Sequence, residues 1–480
     1  MIQAVGSSHG AKLTNGNSIP LGEEGARPAQ AGEGTPARLF AACALAGGIL
    51  LTLLTPPLGN PDEHVHLARG YLLSEGLWIA PAQATWAQAT IPTSLVTLYR
   101  WMDHTQPPAP PRTFRFSELT QLLRHRVEPA VRVEVGFLDY YPPLAYAPQA
   151  ILIRLARCFD ASPALLVYAG RLGNLIFYSV LGTLALLLTP LRRWSLCLLL
   201  LLPMNLAQAS SLSADAPTLA FASLFVAFTC RAGFASHAVG RGTWQGLLLS
   251  ACGLGLTKPG YWVLAFAPFV IPLERFPSRS GRWILLGGVL LSATLPGALW
   301  ATIVVASGPF SSSPVADPSA QLAFLLTHPL ESASALVRTA AQLLPLYVET
   351  FVGRLGHLNV ALPAWFVAAT PIVLLGSALM EPSDPPTLNR RRRIFLASLF
   401  GIGAVGIFGV AFLGWNEVGA HLIRGVQGRY FAPLAPLALL AIPALGGRMS
   451  PAARLQITTA WVLVGLASAI SAICQAFLVS

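Results

Sequence analysis

Residues 56–78, PPLGNPDEHVHLARGYLLSEGLW, follow directly on the first long apolar run and are far more polar than most of what comes after. Pro56, Pro57 and Pro61 stop the preceding helix, because proline has no N–H to donate and its ring clashes with the turn before it. Asp62 then stands where an N-cap or first-turn acid belongs, and the pattern predicts a helix from there to about Gly76. On that helix Asp62, His66 and Arg69 fall at i, i+4 and i+7 and share one face. Leu67, Tyr71 and Leu73 occupy other positions, suited to lipid or to a neighbouring helix. A carboxylate, an imidazole and a guanidinium are therefore gathered at the end of a membrane span. The plainer reading of the same residues is a solvated interfacial helix with a good cap.

Composition decides the class. Of 480 residues, 54% are hydrophobic and only 11% charged, with a mean hydropathy of +0.60, whereas soluble domains carry about 25% charged residues. A span needs about 20 mostly apolar residues, and the chain offers about eleven such stretches. This is an all-α polytopic membrane protein. The net charge of +11 sits in short loops between spans, which is the positive-inside pattern of a membrane topology; no nucleic-acid partner is implied. Cys43, Cys158, Cys197, Cys230, Cys252 and Cys474 lie in or beside apolar runs without a CxxC pair, so they read as small hydrophobes, not as a disulfide or zinc framework.

Residues 1–36 are rich in Gly, Ala, Ser, Asn and Pro and lack periodicity, the signature of a disordered tail, here cytoplasmic. Residues 37–480 form the transmembrane domain. Its first run, near Arg38 to Thr55, lies too far in for an ordinary signal peptide and reads as an uncleaved signal anchor. Lys12, Arg27 and Arg38 before it put the N-terminus in the cytoplasm. Residues 56–141 form a large first extracytoplasmic loop with an amphipathic piece around Phe116 to Val127. Tyr140 to Phe159 returns to the membrane as an interfacial or re-entrant segment, since Arg154 and Arg157 crowd its end. Spans two to eight, at 163–189, 194–212, 216–233, 243–257, 259–273, 283–305 and 362–380, and spans nine to eleven after them alternate between basic loops, above all Arg390–Arg393, and external segments, the second of which, 306–361, has helical patches near Gln321 and Leu336. That orientation places Asp62, Asp215, Lys258, Asn359 and Arg429 on the extracytoplasmic side.

Each of these residues has an ordinary explanation. Lys258 could be a snorkelling side chain, Asp215 a cap before Pro217, and Arg429 the flank of a span. Their convergence beside two long external segments favours a shared polar site, with cations suited to a phosphate and acids suited to activating a hydroxyl.

The ordered motifs PPLGNPDEHVHLARGYLLSEG, YYPPLAYAPQA, GRLGNLIFYSVLG, LLPMNLAQASSLSADAPTLA, TKPGYWVL, GRLGHLNVALPAW and GVQGRYFAPLAP also carry a resemblance. Together they resemble the bacterial membrane-protein family catalogued as domain of unknown function 2142, over nearly everything from residue 40 onward. That family in turn resembles the GT-C superfamily of membrane glycosyltransferases, which use polyprenyl-phosphate sugars and have an acidic motif in the first external loop. The resemblance implies a GT-C-like fold in the bacterial inner membrane, and it matches Asp62 to the acidic position with Glu63 as its neighbour. One departure is Gly356–Asn359, where His357 and Asn359 stand in place of an expected Trp and Asp.

The implied chemistry fits the residues. A lipid-linked donor arrives through the bilayer, so no nucleotide fold is required, and GLGLTKPG at Gly253–Gly260 lacks the spacing of a phosphate loop and reads as close helix packing. Asp62 is the expected base, with Glu63 second. Arg429 and Lys258 are the expected partners of the leaving phosphate, with His66, Arg69, Tyr141, Asp215, Gln427 and Tyr430 completing the substrate-binding set. The acceptor would be a cell-envelope glycan, lipid or protein. Asp62, His66 and Glu63 could also hold a divalent metal, although HVH puts His64 and His66 on different helix faces. A transporter or flippase of a lipid-linked or anionic substrate is the competing class; it would hold its polar residues near the bilayer midplane in paired repeats.

Overall fold

The structure is a computed structural model and describes residues 34–79, 88–102, 113, 115–136, 141–236, 238–306, 315–446 and 449–478. The expected tail lies outside the described residues up to residue 33, and the first helix opens at Thr35. Among the described residues, strands are confined to two small antiparallel pairs, β1 (Gln88–Pro92) with β2 (Arg132–Gly136) and β3 (Arg354–Leu355) with β4 (Val360–Ala361). Everything else that is regular is helical.

Among the described residues, six helices are long and apolar enough to cross a membrane by length and composition: α1 (Thr35–Leu54), α6 (Pro163–Leu188), α9 (Asp215–Phe234), α11 (Arg279–Ala306), α15 (Arg390–Trp415) and α17 (Pro451–Phe477). The expected first external loop, 56–141, contains α2 (Glu63–Ser74), α3 (Thr93–Met102) and α4 (Phe116–Arg124), and the expected interfacial segment contains α5 (Ala147–Arg157). At 11 residues, α5 is about 16 Å long and too short to span. It lies on α2 and α6, with Arg154 donating to Ser74 O at 2.9 Å. The expected second external segment contains α12 (Pro318–Thr327) and a 24-residue helix, α13 (Pro329–Val352).

The other expected spans are shorter or interrupted. The third is two pieces, α7 (Arg193–Leu200) and α8 (Pro203–Ala209), because Pro203 cannot donate back into the helix. The carbonyls this releases are taken inside the protein: Asn205 donates to Leu199 O and the Tyr178 hydroxyl to Leu200 O, both at 2.7 Å. In an apolar medium that satisfaction is obligatory. The fifth is α10 (Arg241–Gly255), and the sixth is a 12-residue 3-10 coil, Pro259–Val270, rather than an α-helix. The eighth is α14 (Ala364–Leu379), and the tenth shrinks to α16 (Ala435–Ala441). Close packing at GLGLTKPG is literal: a Cβ on Gly255 would stand 2.3 Å from Ala293 O of α11.

Two apolar cores hold the bundle. One joins α1, α6, α7, α8, α14 and α17 around Phe40, Tyr178, Phe366 and Phe477. The other joins α9, α10, the 3-10 coil, α11, α15 and α16 around Phe225, Leu264 and Leu437. Of the cysteines, Cys197 and Cys230 are buried as expected for small hydrophobes, whereas Cys158 at the end of α5 is exposed.

Candidate functional site

The quoted stretch folds as the prolines and Asp62 require, with one difference. Asp62 precedes α2 in the left-handed region, φ 61°, and its side chain makes no capping bond. Aspartate tolerates that conformation better than most residues. Leu58, also left-handed at φ 62°, tolerates it less well and is fixed in place by burial and by His357, whose Nε2 lies 3.1 Å from Leu58 O. The loop with His357 is thus tethered to the turn that precedes α2. The helix ends at Ser74, and Gly76 takes the left-handed exit at φ 92°.

Glu63 is fully buried, and so is Arg171 of α6. Arg171 donates through Nε and Nη2 to the two Glu63 oxygens, at 2.9 and 2.6 Å. Its remaining N–H groups go to Thr52 O, Thr55 O and Pro56 O at 2.6–3.1 Å, so all five guanidinium donors are used. Glu63 also accepts from Asn60 N and from Leu212 N. Expected as a second acid for catalysis, Glu63 has no oxygen left for a substrate. It ties the end of α1, the start of α2 and the loop before α9 into one knot.

That loop, Ser210–Ala214, is held further by Asn174, which donates to Ser211 O and Ser213 O, and by Gln149, which donates to Ser213 O. Its product is Asp215. The side chain does not cap α9; it pairs with Lys258 Nζ through Oδ1 and lies 3.4 Å from Arg429 Nε through Oδ2. Gln208 completes the cluster: with its amide nitrogen 2.9 Å from Ser213 Oγ and 3.2 Å from Asp215 Oδ2, its oxygen accepts from Arg429 Nη1 at 2.9 Å. Side-chain exposures of 12% for Lys258, 17% for Asp215 and 6% for Arg429 make this a recessed cluster, not a set of surface anchors. Tyrosines wall it. Lys258 Nζ lies 4.7 Å from the Tyr141 ring centre and 5.6 Å from that of Tyr430, and the Arg429 guanidinium lies 5.5 Å from the Tyr430 ring. The Tyr261 hydroxyl donates to Tyr430 O at 2.9 Å, fixing the 3-10 turn Gly428–Phe431 that presents Arg429.

His66 borders the same cluster, with Nδ1 3.2 Å from the Tyr146 hydroxyl. Burial pushes its imidazole down to about 4, further depressed by Lys258 and Arg429 and opposed by Asp62 and Asp215. The folded value lies below the unfolded one, near 6.5, so this residue contributes stability above pH 6.5 that is lost as pH falls toward 4. The slope is at most about 1.4 kcal/mol per pH unit. His66→Gln is expected to narrow the loss of thermal midpoint between pH 7 and pH 4.5; an unchanged loss would show that His66 does not titrate in that window.

Other expected residues are placed differently. Arg69 is buried, donates to Leu77 O and Trp78 O, and lies over the Tyr146 and Trp300 rings; it secures the end of α2. Gln427 enters the 3-10 turn through its carbonyl, which accepts from Tyr430 N. Glycine at 428 leaves room for protein, not ligand: a Cβ there would stand 1.8 Å from Tyr347 O of α13. A metal on Asp62, His66 and Glu63 does not fit, because Glu63 is saturated, and among the described residues no group of three metal-ligating side chains is gathered. His64 turns away and stacks on Tyr99 at 4.4 Å. Sequence reasoning assigned no role to Arg171, Gln208, Tyr146 or Tyr261. The available signal was Arg171 inside an apolar span, where an unpaired charge is costly and implies a buried partner.

The chain is similar to the crystal structure of ArnT from Cupriavidus metallidurans in the apo state, at 16% identity and a TM-score of 0.42, over 86% of this chain and 60% of that one. It is similar to ArnT from the same organism bound to undecaprenyl phosphate at 15% identity and 0.42, over 87% and 61%. This chain thus spans about 60% of the length of those structures. No curated protein sequence matches it. A family profile described as "Predicted membrane protein (DUF2142)" matches residues 45–438. With that profile covering most of its length, the chain belongs to the DUF2142 family of predicted membrane proteins.

Proposed function

We propose that this protein is an extracytoplasmic-facing glycosyltransferase. It moves a sugar from a polyprenyl-phosphate donor to a hydroxyl of a cell-envelope glycan, lipid or protein. The observation that carries the reading is the recessed Asp215–Lys258–Arg429 cluster, beside His66 and close to an exposed Asp62. Lysine has three donors and arginine five, more than Asp215 and Gln208 take up, so both cations retain capacity for phosphate oxygens. Asp215 orients them and lowers the cost of keeping two positive charges together.

In the reaction, the Asp62 carboxylate takes the proton of the acceptor hydroxyl, and the hydroxyl oxygen bonds to the anomeric carbon. The bond from that carbon to the donor phosphate oxygen breaks, and its electron pair leaves with the lipid phosphate, against Arg429 and Lys258. His66 stays neutral and, with Tyr146, lines the acceptor side. The arginine-rich loops support an orientation in the inner membrane with the N-terminus in the cytoplasm. A transporter reading gains little from the interrupted α7–α8 segment, whose released carbonyls are already satisfied by Asn205 and Tyr178.

The test uses protein in nanodiscs with a labelled polyprenyl-phosphate sugar, read as release of free lipid phosphate. Arg429→Lys loses the planar fork and is expected to lose turnover and protection by lipid phosphate against thermal unfolding, and Arg429→Ala more of both. Equal protection of wild type and variants would make Arg429 an interface anchor and remove the phosphate site.

A further inference from the structure

The loop from Asn416 to Gln427, which leads into Arg429, is fastened to the second external segment at three points. Gly419 N donates to Gln321 Oε1 of α12 at 2.9 Å. Ile423 N donates to Thr339 Oγ1 at 2.8 Å, and Gly428 N to Thr350 Oγ1 at 2.7 Å. All three accepting side chains are fully buried. Thr339 and Thr350 are about three helical turns apart on α13 and so lie on one face. Each hydroxyl proton is given to a carbonyl of its own helix, Ala335 O and Leu346 O at 2.6 Å, which leaves the oxygen's lone pairs for the loop amide. Between the two threonines, Tyr347 packs with Ile423 and Val426. At the last fastening point, contact is so close that only glycine fits at 428.

We infer that α13 is the positioning element for the anion-binding arginine, and that Thr350 is its positioning residue. Arg429 follows Gly428 directly, so the Thr350–Gly428 bond fixes where the guanidinium leaves the backbone. Tyr261 restrains the other side of the turn through Tyr430 O, and Asp215 meets the tip of the side chain. Three restraints from three separate elements thus fix one guanidinium fork. Thr350 touches no reacting group and acts only through Arg429. The inference rests on Arg429 being a phosphate ligand.

The experiment titrates a polyprenyl monophosphate into nanodisc-embedded protein and follows the rise in thermal midpoint, with KM and kcat measured in parallel. Thr350→Val keeps the shape and removes the hydroxyl; the apparent affinity for lipid phosphate is expected to fall roughly fivefold, with KM raised more than kcat is lowered. Thr350→Ser restores the bond and the affinity. Thr339→Val, farther along the loop from Arg429, is expected to lower the unliganded midpoint but leave the affinity within about twofold. Full lipid-phosphate affinity in Thr350→Val overturns the proposal, and equal losses in the two valine variants would reduce both threonines to general packing. Should Thr350→Val fail to fold, hydrogen exchange over residues 416–428 of the wild type decides: lipid phosphate should slow it, and unchanged exchange overturns the inference. If Arg429→Ala keeps its affinity, the phosphate site itself falls; if it loses affinity while Thr350→Val does not, only the positioning role falls.

Discussion

Asp62→Asn is expected to lower sugar transfer by on the order of 10²–10⁴-fold while leaving the protein folded. The reason for expecting so clean a separation lies in the loop. The Asp62 side chain makes no capping bond, so asparagine breaks no hydrogen bond there. Asparagine also accepts the left-handed backbone as readily as aspartate, which a larger or branched replacement would not. What is lost is a negative charge beside His66 and Arg429, and with it the group able to take a proton from an incoming hydroxyl. Turnover in nanodiscs and the thermal midpoint, measured on one preparation, check the two halves separately. Full turnover with an unchanged midpoint would leave Asp62 with only a conformational role, and the base would have to be sought elsewhere in the cluster.

Glu63→Gln is expected to act on the fold rather than on the chemistry. The change removes one charge from a pair with no solvent access and leaves Arg171 uncompensated among three carbonyls. Breaking one side of a buried pair costs about 3–5 kcal/mol, a large part of the stability of an ordinary domain. Little folded protein should survive extraction, as read by size-exclusion profile and thermal midpoint. Arg171→Met alone should be as damaging, since it strands the carboxylate. The double change to Gln and Met should recover part of the loss, because a buried pair contributes little net stability compared with apolar side chains of similar size. A Glu63→Gln protein with the wild-type midpoint but no turnover would reverse the assignment and make Glu63 a participant in catalysis.

These two adjacent acids show where sequence stops being informative. At Asp62 and Glu63 the residue types, the prolines before them and the span that precedes them were legible, and so was a short polar helix at the membrane edge. Asp62 stands outside α2 in the left-handed region while Glu63 opens the helix, and one acid faces outward and the other inward. Which is which depends on where α6 delivers Arg171, more than a hundred residues later. For the same reason Arg69 shared a helical face with His66 on paper, yet two of its guanidinium donors go to the carbonyls of Leu77 and Trp78.

By itself the sequence determined the class of molecule, because apolar runs of span length and arginine-rich loops follow from the cost of putting charge and unpaired backbone in hydrocarbon. It also determined the helix exits at Pro56 and near Gly76, since those depend on local backbone chemistry alone. Only the tertiary structure decided that Asp215 holds both cations instead of capping α9, that the sixth apolar stretch is a 3-10 coil, and that glycine at 428 makes room for α13. The first and last of these depend on a partner distant in the chain, and a hydrogen bond or an ion pair has a value only once its second member has been brought within about 3 Å.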